Sequence, residues 1–273
     1  MTLPTHPGLD ALLSDPSGAV IGLDYDGTIA PIVADPAAAR VHPEAPEVLA
    51  GLAKLVGAVV IVTGRPPGTA LALGTAEGGA SLADVPGLVI LGHYGRERWE
   101  AGRITAPPPT PGLDRVRTRL PELVRSLGLD GVLIEDKGQA VAVHTRRSPD
   151  PEAALTALSA PVAGLAAEAG LVVEPGRLVL ELRPAGMDKG RALSRFLAER
   201  RARSVMFVGD DLGDLAAFEA VVAAPVPGVR VCSRSPEVSE LAERADIVVD
   251  GPSGVVELLR EIAEEIRRRL GES

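Results

Sequence analysis

The 273-residue sequence is poor in three residue types. It has one cysteine, six aromatic residues and only three lysines, the last set against 25 arginines. A lone thiol, Cys232, excludes a disulfide framework and any metal site built from several thiolates. It sits in the run Val229–Cys232 and reads as a small buried hydrophobe. No apolar run approaches the ~20 residues of a membrane span. The start, MTLPTHPGLD, has no basic segment followed by an apolar stretch, so no signal peptide is expected and the reducing cytosol is the expected location. The net charge of −9 disfavours nucleic-acid backbones and membrane surfaces as partners. An anionic substrate would need cations gathered locally or supplied by a metal. Apolar residues at 46% suffice for a core, and the length is within reach of two domains. Because arginine fills almost every cationic position, Lys54, Lys137 and Lys189 each invite a question.

Short runs rich in Val and Ile, without polar alternation, predict buried parallel strands at Ala19–Asp24, Ala58–Val62, Leu88–Gly92, Ser204–Val208, Val229–Cys232 and Asp246–Val249. Helical patterns lie between several of them, including Pro43–Leu55 and Lys189–Arg200. Gly254–Leu270 carries Val255, Leu258, Leu259, Ile262 and Ile266 on one side. The expected fold is α/β, a Rossmann-like, doubly wound, mostly parallel sheet. The middle differs. A proline-rich link, Ala106–Pro111, leads into helix, strand, Lys-Gly turn and strand (Leu113–Leu127, Val132–Asp136, Ala140–Thr145). The pattern repeats around a Pro-Gly turn (Pro151–Ala169, Leu171–Glu174, Leu178–Arg183). Tight turns mean antiparallel pairs. An inserted α+β domain of αββαββ order is therefore expected at 108–185, within a core of 1–107 and 186–273. Helices should cover one face of its sheet, and hinges are expected at Ala106–Pro111 and Ala185–Met187, where Gly186 supplies freedom.

Two acidic groups close apolar strands. In Asp24-Tyr25-Asp26-Gly27-Thr28 the two aspartates, two apart, can share a site at a strand end, where doubly wound folds bind ligands. Val208-Gly209-Asp210-Asp211-Leu212-Gly213-Asp214 places three more carboxylates after another strand. Alone, each group could be a turn or a helix cap. Together they would repel one another unless a cation joined them, and oxygen-only ligands suit Mg²⁺ rather than Zn²⁺. Thr63-Gly64-Arg65 ends a third strand with a hydroxyl suited to a phosphate, or to a helix cap. Lys189 opens a helix where this composition would write arginine, unless a compact ammonium were required.

Asp24-x-Asp26-Gly-Thr28, Thr63, Lys189 and Gly209-Asp210-Asp211-x-x-Asp214, in this order, resemble the haloacid dehalogenase superfamily of phosphatases. Tyr94-Gly-x-Glu97-x-Trp99, Glu135-Asp136-Lys137-Gly138, Val143-His144-x-Arg146, Glu181-x-Arg183-Pro184 and Asp188-Lys189-Gly190 extend the likeness to the trehalose-6-phosphate phosphatases, over nearly the whole chain. Two departures are mild: Thr63 stands where many members have serine, and His93 where a hydrophobic residue is more usual.

The resemblance implies a phosphatase acting on trehalose 6-phosphate in the last step of trehalose synthesis. It implies Asp24 as nucleophile, giving an aspartyl-phosphate, and Asp26 as general acid and then base. Mg²⁺ would be held by Asp24, the Asp26 carbonyl and Asp210, with Asp214 and Asp211 in support. Thr63 and Lys189 would hold the phosphoryl group, and Arg65 would bind substrate. Glu135, Lys137, His144, Arg146 and Glu181, in the inserted domain, would recognise the sugar; a solvated charged sheet face is the plainer account of any one of them. By their surroundings alone Arg177 and the Arg146-Arg147 pair read as surface cations. Lys54 has no assigned role, and a monomer is expected. A sucrose-phosphate or glucosyl- or mannosylphosphoglycerate phosphatase, a phosphotransferase and a silent sugar-phosphate-binding module are the alternatives. The intact nucleophile argues against the last.

Overall fold

The computed structural model describes residues 3–33, 35–176, 178–234 and 240–271. In chain order its elements are α1 (Pro7–Ser14), β1 (Ala19–Leu23), α2 (Ala45–Leu52), β2 (Ala58–Val62), α3 (Pro67–Leu73), β3 (Val89–Gly92), β4 (Glu97–Glu100) and β5 (Arg103–Thr105). Then come α4 (Pro111–Ser126), β6 (Leu133–Asp136), β7 (Val141–His144), α5 (Pro151–Ala169), β8 (Leu171–Gly176) and β9 (Val179–Pro184). The chain ends with α6 (Lys189–Arg200), β10 (Ser204–Gly209), α7 (Leu215–Ala223), β11 (Gly228–Arg234), α8 (Glu240–Arg244), β12 (Ile247–Asp250) and α9 (Gly251–Leu270). It divides into two compact units, residues 1–106 with 188–273, and residues 107–187.

The larger unit holds a sheet ordered β12-β11-β10-β1-β2-β3-β4-β5. From β12 to β3 every pairing is parallel; Leu23, for example, lies between Val208 and Ile61. Alternate residues feed two cores. Ile21, Leu23, Val59 and Ile61 pack with Leu49 and Leu52 of α2 and Leu259 and Ile262 of α9. Val20, Val60, Val62 and Phe207 pack with Leu193 and Phe196 of α6 and Phe218 of α7. Both faces are therefore buried, which explains the absence of polar alternation; each such side chain stabilises the fold by about 1.5–3 kcal/mol. The central strands all reach the same edge in parallel, so their C-terminal loops gather there.

The hairpin β4–β5 is not among the expected strands, and it precedes the proline-rich link. Of its residues only Trp99 is buried and β5 is fully exposed, so no apolar pattern marks it. Its turn, Ala101-Gly102, has both φ positive, the geometry that favours Asn-Gly. The helix expected at Pro43–Leu55 is shorter: α2 ends at Leu52, and Lys54 stands in the turn beyond it.

In the smaller unit four strands pair antiparallel in the order β6-β7-β9-β8. Val141, Val143, Leu180 and Leu182 meet Leu113, Val116 and Leu120 of α4 and Leu158 and Val162 of α5. Among the described residues the opposite face carries no helix of this unit. Arg177 lies outside the described residues.

Candidate active site

Asp24 follows β1 directly, and its backbone N–H donates to the Val208 carbonyl at 2.9 Å. That bond ties the first acidic loop to the strand carrying the second. Asp24, Asp210 and Asp214 are buried, and one carboxylate oxygen from each lies within 4.8 Å of the others. Lys189, the first residue of α6, enters the group with its Nζ 2.8 Å from Asp24 Oδ2 and 2.8 Å from Asp214 Oδ1. The other Asp214 oxygen accepts from the backbone N–H of Asp210 at 2.9 Å and of Asp211 at 3.3 Å. Asp211 is exposed; its carboxylate accepts from Gly213 N–H at 2.8 Å and caps the turn into α7.

The loop geometry depends on Gly27, whose φ is +69°. A Cβ there would sit 1.9 Å from Asp210 Oδ2. Only a residue without a side chain lets the two acidic loops approach. Ser233, in β11, donates from its hydroxyl to the Gly27 carbonyl at 2.6 Å and fixes the loop from the other side. Sequence reasoning missed Ser233; its signal is a hydroxyl next to Cys232 at the end of an apolar strand.

One ammonium among three close carboxylates leaves excess negative charge. Burial pushes Asp24 well above the usual carboxylate range, reinforced by Asp214, Asp210 and Asp211 and opposed by Lys189. Burial likewise raises Asp214, again against Lys189. Asp210 is pushed up to about 8 by burial and by Asp211 and Asp214. Burial would lower Lys189, but Asp214 and Asp24 outweigh it and hold the ammonium charged. Among the described residues nothing hydrogen-bonds the Asp210 carboxylate. A hard divalent cation fits this oxygen-only, undercompensated set.

Asp26 points elsewhere. Arg65 grips it with Nε–Oδ2 and Nη2–Oδ1 bonds of 2.7 Å each, while Nη2 also donates to the Pro36 carbonyl at 2.9 Å. The guanidinium stacks over Tyr25, 5.5 Å from the ring centroid. Expected to bind substrate, Arg65 here holds the carboxylate of Asp26. Thr63 is buried, and its Oγ1 accepts from Arg65 N–H at 3.1 Å.

In the smaller unit, register places Glu135, Ala142 and Glu181 in one row across the sheet. His144 Nε2 lies 2.9 Å from Glu135 Oε2, and Lys137 Nζ donates to Glu181 Oε2 at 2.7 Å. Glu181 is buried, and among the described residues its Oε1 has no hydrogen-bond partner. These four residues share the helix-free face. Arg146 is exposed in the turn after β7, beyond that row.

A mostly parallel sheet with carboxylates and a lysine at its C-terminal edge, its chain interrupted by a small α+β unit, is the fold of the haloacid dehalogenase-like hydrolases. A solved haloacid dehalogenase-like hydrolase from Bacteroides thetaiotaomicron shares the fold, with a TM-score of 0.61 at 20% identity over 89% of this chain and 99% of that one. The sequence model of the trehalose-phosphatase family matches residues 22–253. The chain belongs to that family and is a phosphoric monoester hydrolase. It is 34% identical to a probable trehalose-phosphate phosphatase of Sinorhizobium fredii over 246 residues, covering 85% of this chain and 88% of the relative. It is 32% identical to a trehalose-phosphate phosphatase of Mycobacterium avium, covering 91% of this chain but only 63% of that longer protein. A solved trehalose-6-phosphate phosphatase related protein superposes with a TM-score of 0.69 at 24% identity, over 92% of this chain and 99% of that one. Among the described residues no helix is long and apolar enough to cross a membrane.

Proposed function

We propose that the chain hydrolyses trehalose 6-phosphate through an aspartyl-phosphate on Asp24. The observation that carries this reading is the buried contact of Asp24 with Lys189, beside Asp210 and Asp214. An ionised Asp24 oxygen attacks phosphorus; the O–P bond forms as the bond to the sugar oxygen breaks. Asp26 gives its proton to the departing sugar oxygen, and later takes one from the water that attacks the phosphoenzyme, so that phosphate leaves and Asp24 is restored. Lys189 favours the ionised form of Asp24 against its burial and balances the spreading phosphoryl charge, and the Thr63 hydroxyl would add a hydrogen bond to the phosphoryl group. Both Asp26 oxygens accept from Arg65, so one side of that fork must open before Asp26 can carry and deliver the proton. Mg²⁺ would be held by the Asp24 and Asp210 carboxylates and the Asp26 carbonyl, with Asp214 and Asp211 supporting them. When bound it would neutralise charge between phosphate and carboxylates.

The relatives' printed names support the substrate, and the helix-free face of the smaller unit supports sugar recognition. Glu135, Lys137, His144 and Glu181 offer donors and acceptors in one patch, and the unpartnered Glu181 Oε1 can accept from a sugar hydroxyl. The test is a phosphate-release panel of sugar phosphates with and without Mg²⁺. Trehalose 6-phosphate should give the highest kcat/KM. Faster release from sucrose phosphate or a glycosylphosphoglycerate would overturn the substrate assignment. Asp24→Asn should abolish turnover, and near-parental turnover would reject the covalent route.

A further inference from the structure

Lys137 does not lie on a strand. It occupies the turn between β6 and β7, and turns are usually the mobile part of a sheet. This one is tied down from behind. Strand alternation sends Glu135 to the helix-free face and Asp136 to the helix face. There Arg117, on α4, forks onto Asp136, with Nε–Oδ2 at 2.9 Å and Nη2–Oδ1 at 3.0 Å. The same Nη2 donates to the Gly138 carbonyl at 2.6 Å, and Nη1 donates to Asp114 Oδ1 at 2.7 Å. Arg117 therefore holds both neighbours of Lys137. Within the turn, Gly138 N–H donates to Asp136 Oδ1 at 2.9 Å and Lys137 N–H to the Ala140 carbonyl at 2.9 Å. Gly138, at φ +80°, supplies the conformation that the turn requires. Hydrogen bonding by Arg117 holds Asp136 below the usual carboxylate range, so the fork stays ionised at neutral pH.

We propose that Arg117 is a positioning residue: it fixes the Asp136-Lys137-Gly138 turn from the helix side, so that the Lys137 ammonium is presented in one place, against Glu181, to the sugar. This rests on the reading of Lys137 as a sugar contact. The geometry favours it over a merely stabilising ion pair. Asp136 is half exposed, and pairs that exposed contribute little to stability. Yet this guanidinium combines a bidentate carboxylate contact with a backbone carbonyl, an arrangement that sets position as well as charge.

The test uses the full chain and compares Arg117→Ala, Arg117→Lys, Lys137→Ala and the Arg117→Ala/Lys137→Ala double variant. Each is assayed on trehalose 6-phosphate and on an aryl phosphate that has no sugar, with melting temperatures measured alongside. Losing a charge-assisted hydrogen bond to the sugar should raise KM in Lys137→Ala by roughly tenfold or more. Arg117→Ala, which keeps the lysine but loosens it, should raise KM about threefold to tenfold, with kcat and aryl-phosphate hydrolysis near parental. Arg117→Lys, without the fork, should recover part of the loss. The double variant should be no worse than Lys137→Ala, because Arg117 acts through Lys137. If Lys137→Ala leaves KM unchanged, the sugar-contact reading falls and this proposal with it. If Lys137→Ala raises KM but Arg117→Ala does not, or if the two effects multiply, positioning by Arg117 is refuted while the sugar contact stands. A melting point that collapses in Arg117→Lys as well as Arg117→Ala would make the residue structural and refute the proposal.

Discussion

Replacing Lys189 with methionine removes the one buried cation from the carboxylate cluster while preserving much of its volume. The ammonium touches Asp24 and Asp214 at 2.8 Å each, and the three carboxylates have oxygens within 4.8 Å of one another. At that separation and an effective dielectric near 20, two ionised carboxylates repel by about 3 kcal/mol per pair. Lys189 opposes the upward shift of Asp24 and Asp214, so the variant, without that ammonium, should bind about one more proton than the parent in this range. The sign follows. Asp24, Asp210 and Asp214 already have folded pKa values above their unfolded ones. A carboxyl raised in this way makes folding progressively less favourable as pH rises from near 4 towards its folded value, here about 8 for Asp210. One further retained proton steepens that slope by about 1.4 kcal/mol per pH unit. Lys189 itself is raised, so the stability it gives the parent is undiminished up to pH 9. Between pH 5 and pH 8 the gap between parent and variant should therefore widen by about 4 kcal/mol, close to the 3–5 kcal/mol expected for breaking a buried pair. In melting temperature that is roughly 10 °C. Thermal melts in a chelator-containing buffer series from pH 5 to 9 measure it. A gap that stays constant across the series would refute the electrostatic account, whatever happens to activity, which should fall to background.

Gly27→Ala should cost about 1 kcal/mol for the positive φ alone and more for the Cβ that would meet Asp210; phosphate release should drop at least a hundredfold, and a variant within twofold of parent would show that the loop has room. Arg65→Ala should lower kcat on trehalose 6-phosphate more than on a nitrophenyl phosphate, whose leaving group needs less help from Asp26; equal losses on both would mean that the Arg65–Asp26 fork does not serve leaving-group protonation.

The legible parts of the fold were those in which a strand is buried on both faces or a helix has one apolar side. Val and Ile runs marked β1, β2 and β10 because each feeds two cores at once, and α9 announced itself through Val255, Leu258, Leu259, Ile262 and Ile266. The hairpin β4–β5 was illegible because it buries little beyond Trp99. At the site, spacing brought out the carboxylates and Lys189, since chemistry needs those residue types at strand ends. Arg65 was visible as a residue but not in its contact with Asp26, which comes from a loop 39 positions away. Ser233 and Arg117 could not be found from spacing, because what makes them matter is a carbonyl, of Gly27 or Gly138, that only the folded chain brings within reach.

The imbalance between lysine and arginine acquires a structural reason from these contacts. Arginine serves where a carboxylate can be met in plane by a fork at a partly open surface: Arg65 on Asp26, Arg98 on Glu199, Arg117 on Asp136 and Arg230 on Asp246. At Lys189 the geometry is different. Its partners are single oxygens of two different carboxylates, each 2.8 Å away and both buried, and the second oxygen of Asp214 is already taken by backbone N–H groups. A planar fork aimed at Asp214 would find only one of its oxygens free. A point charge with three donors on a narrow stem meets both oxygens at once. Lys137 follows the same logic on a smaller scale, bonding one oxygen of Glu181 and leaving the other open. At both sites a compact cation serves a carboxylate without occupying both its oxygens.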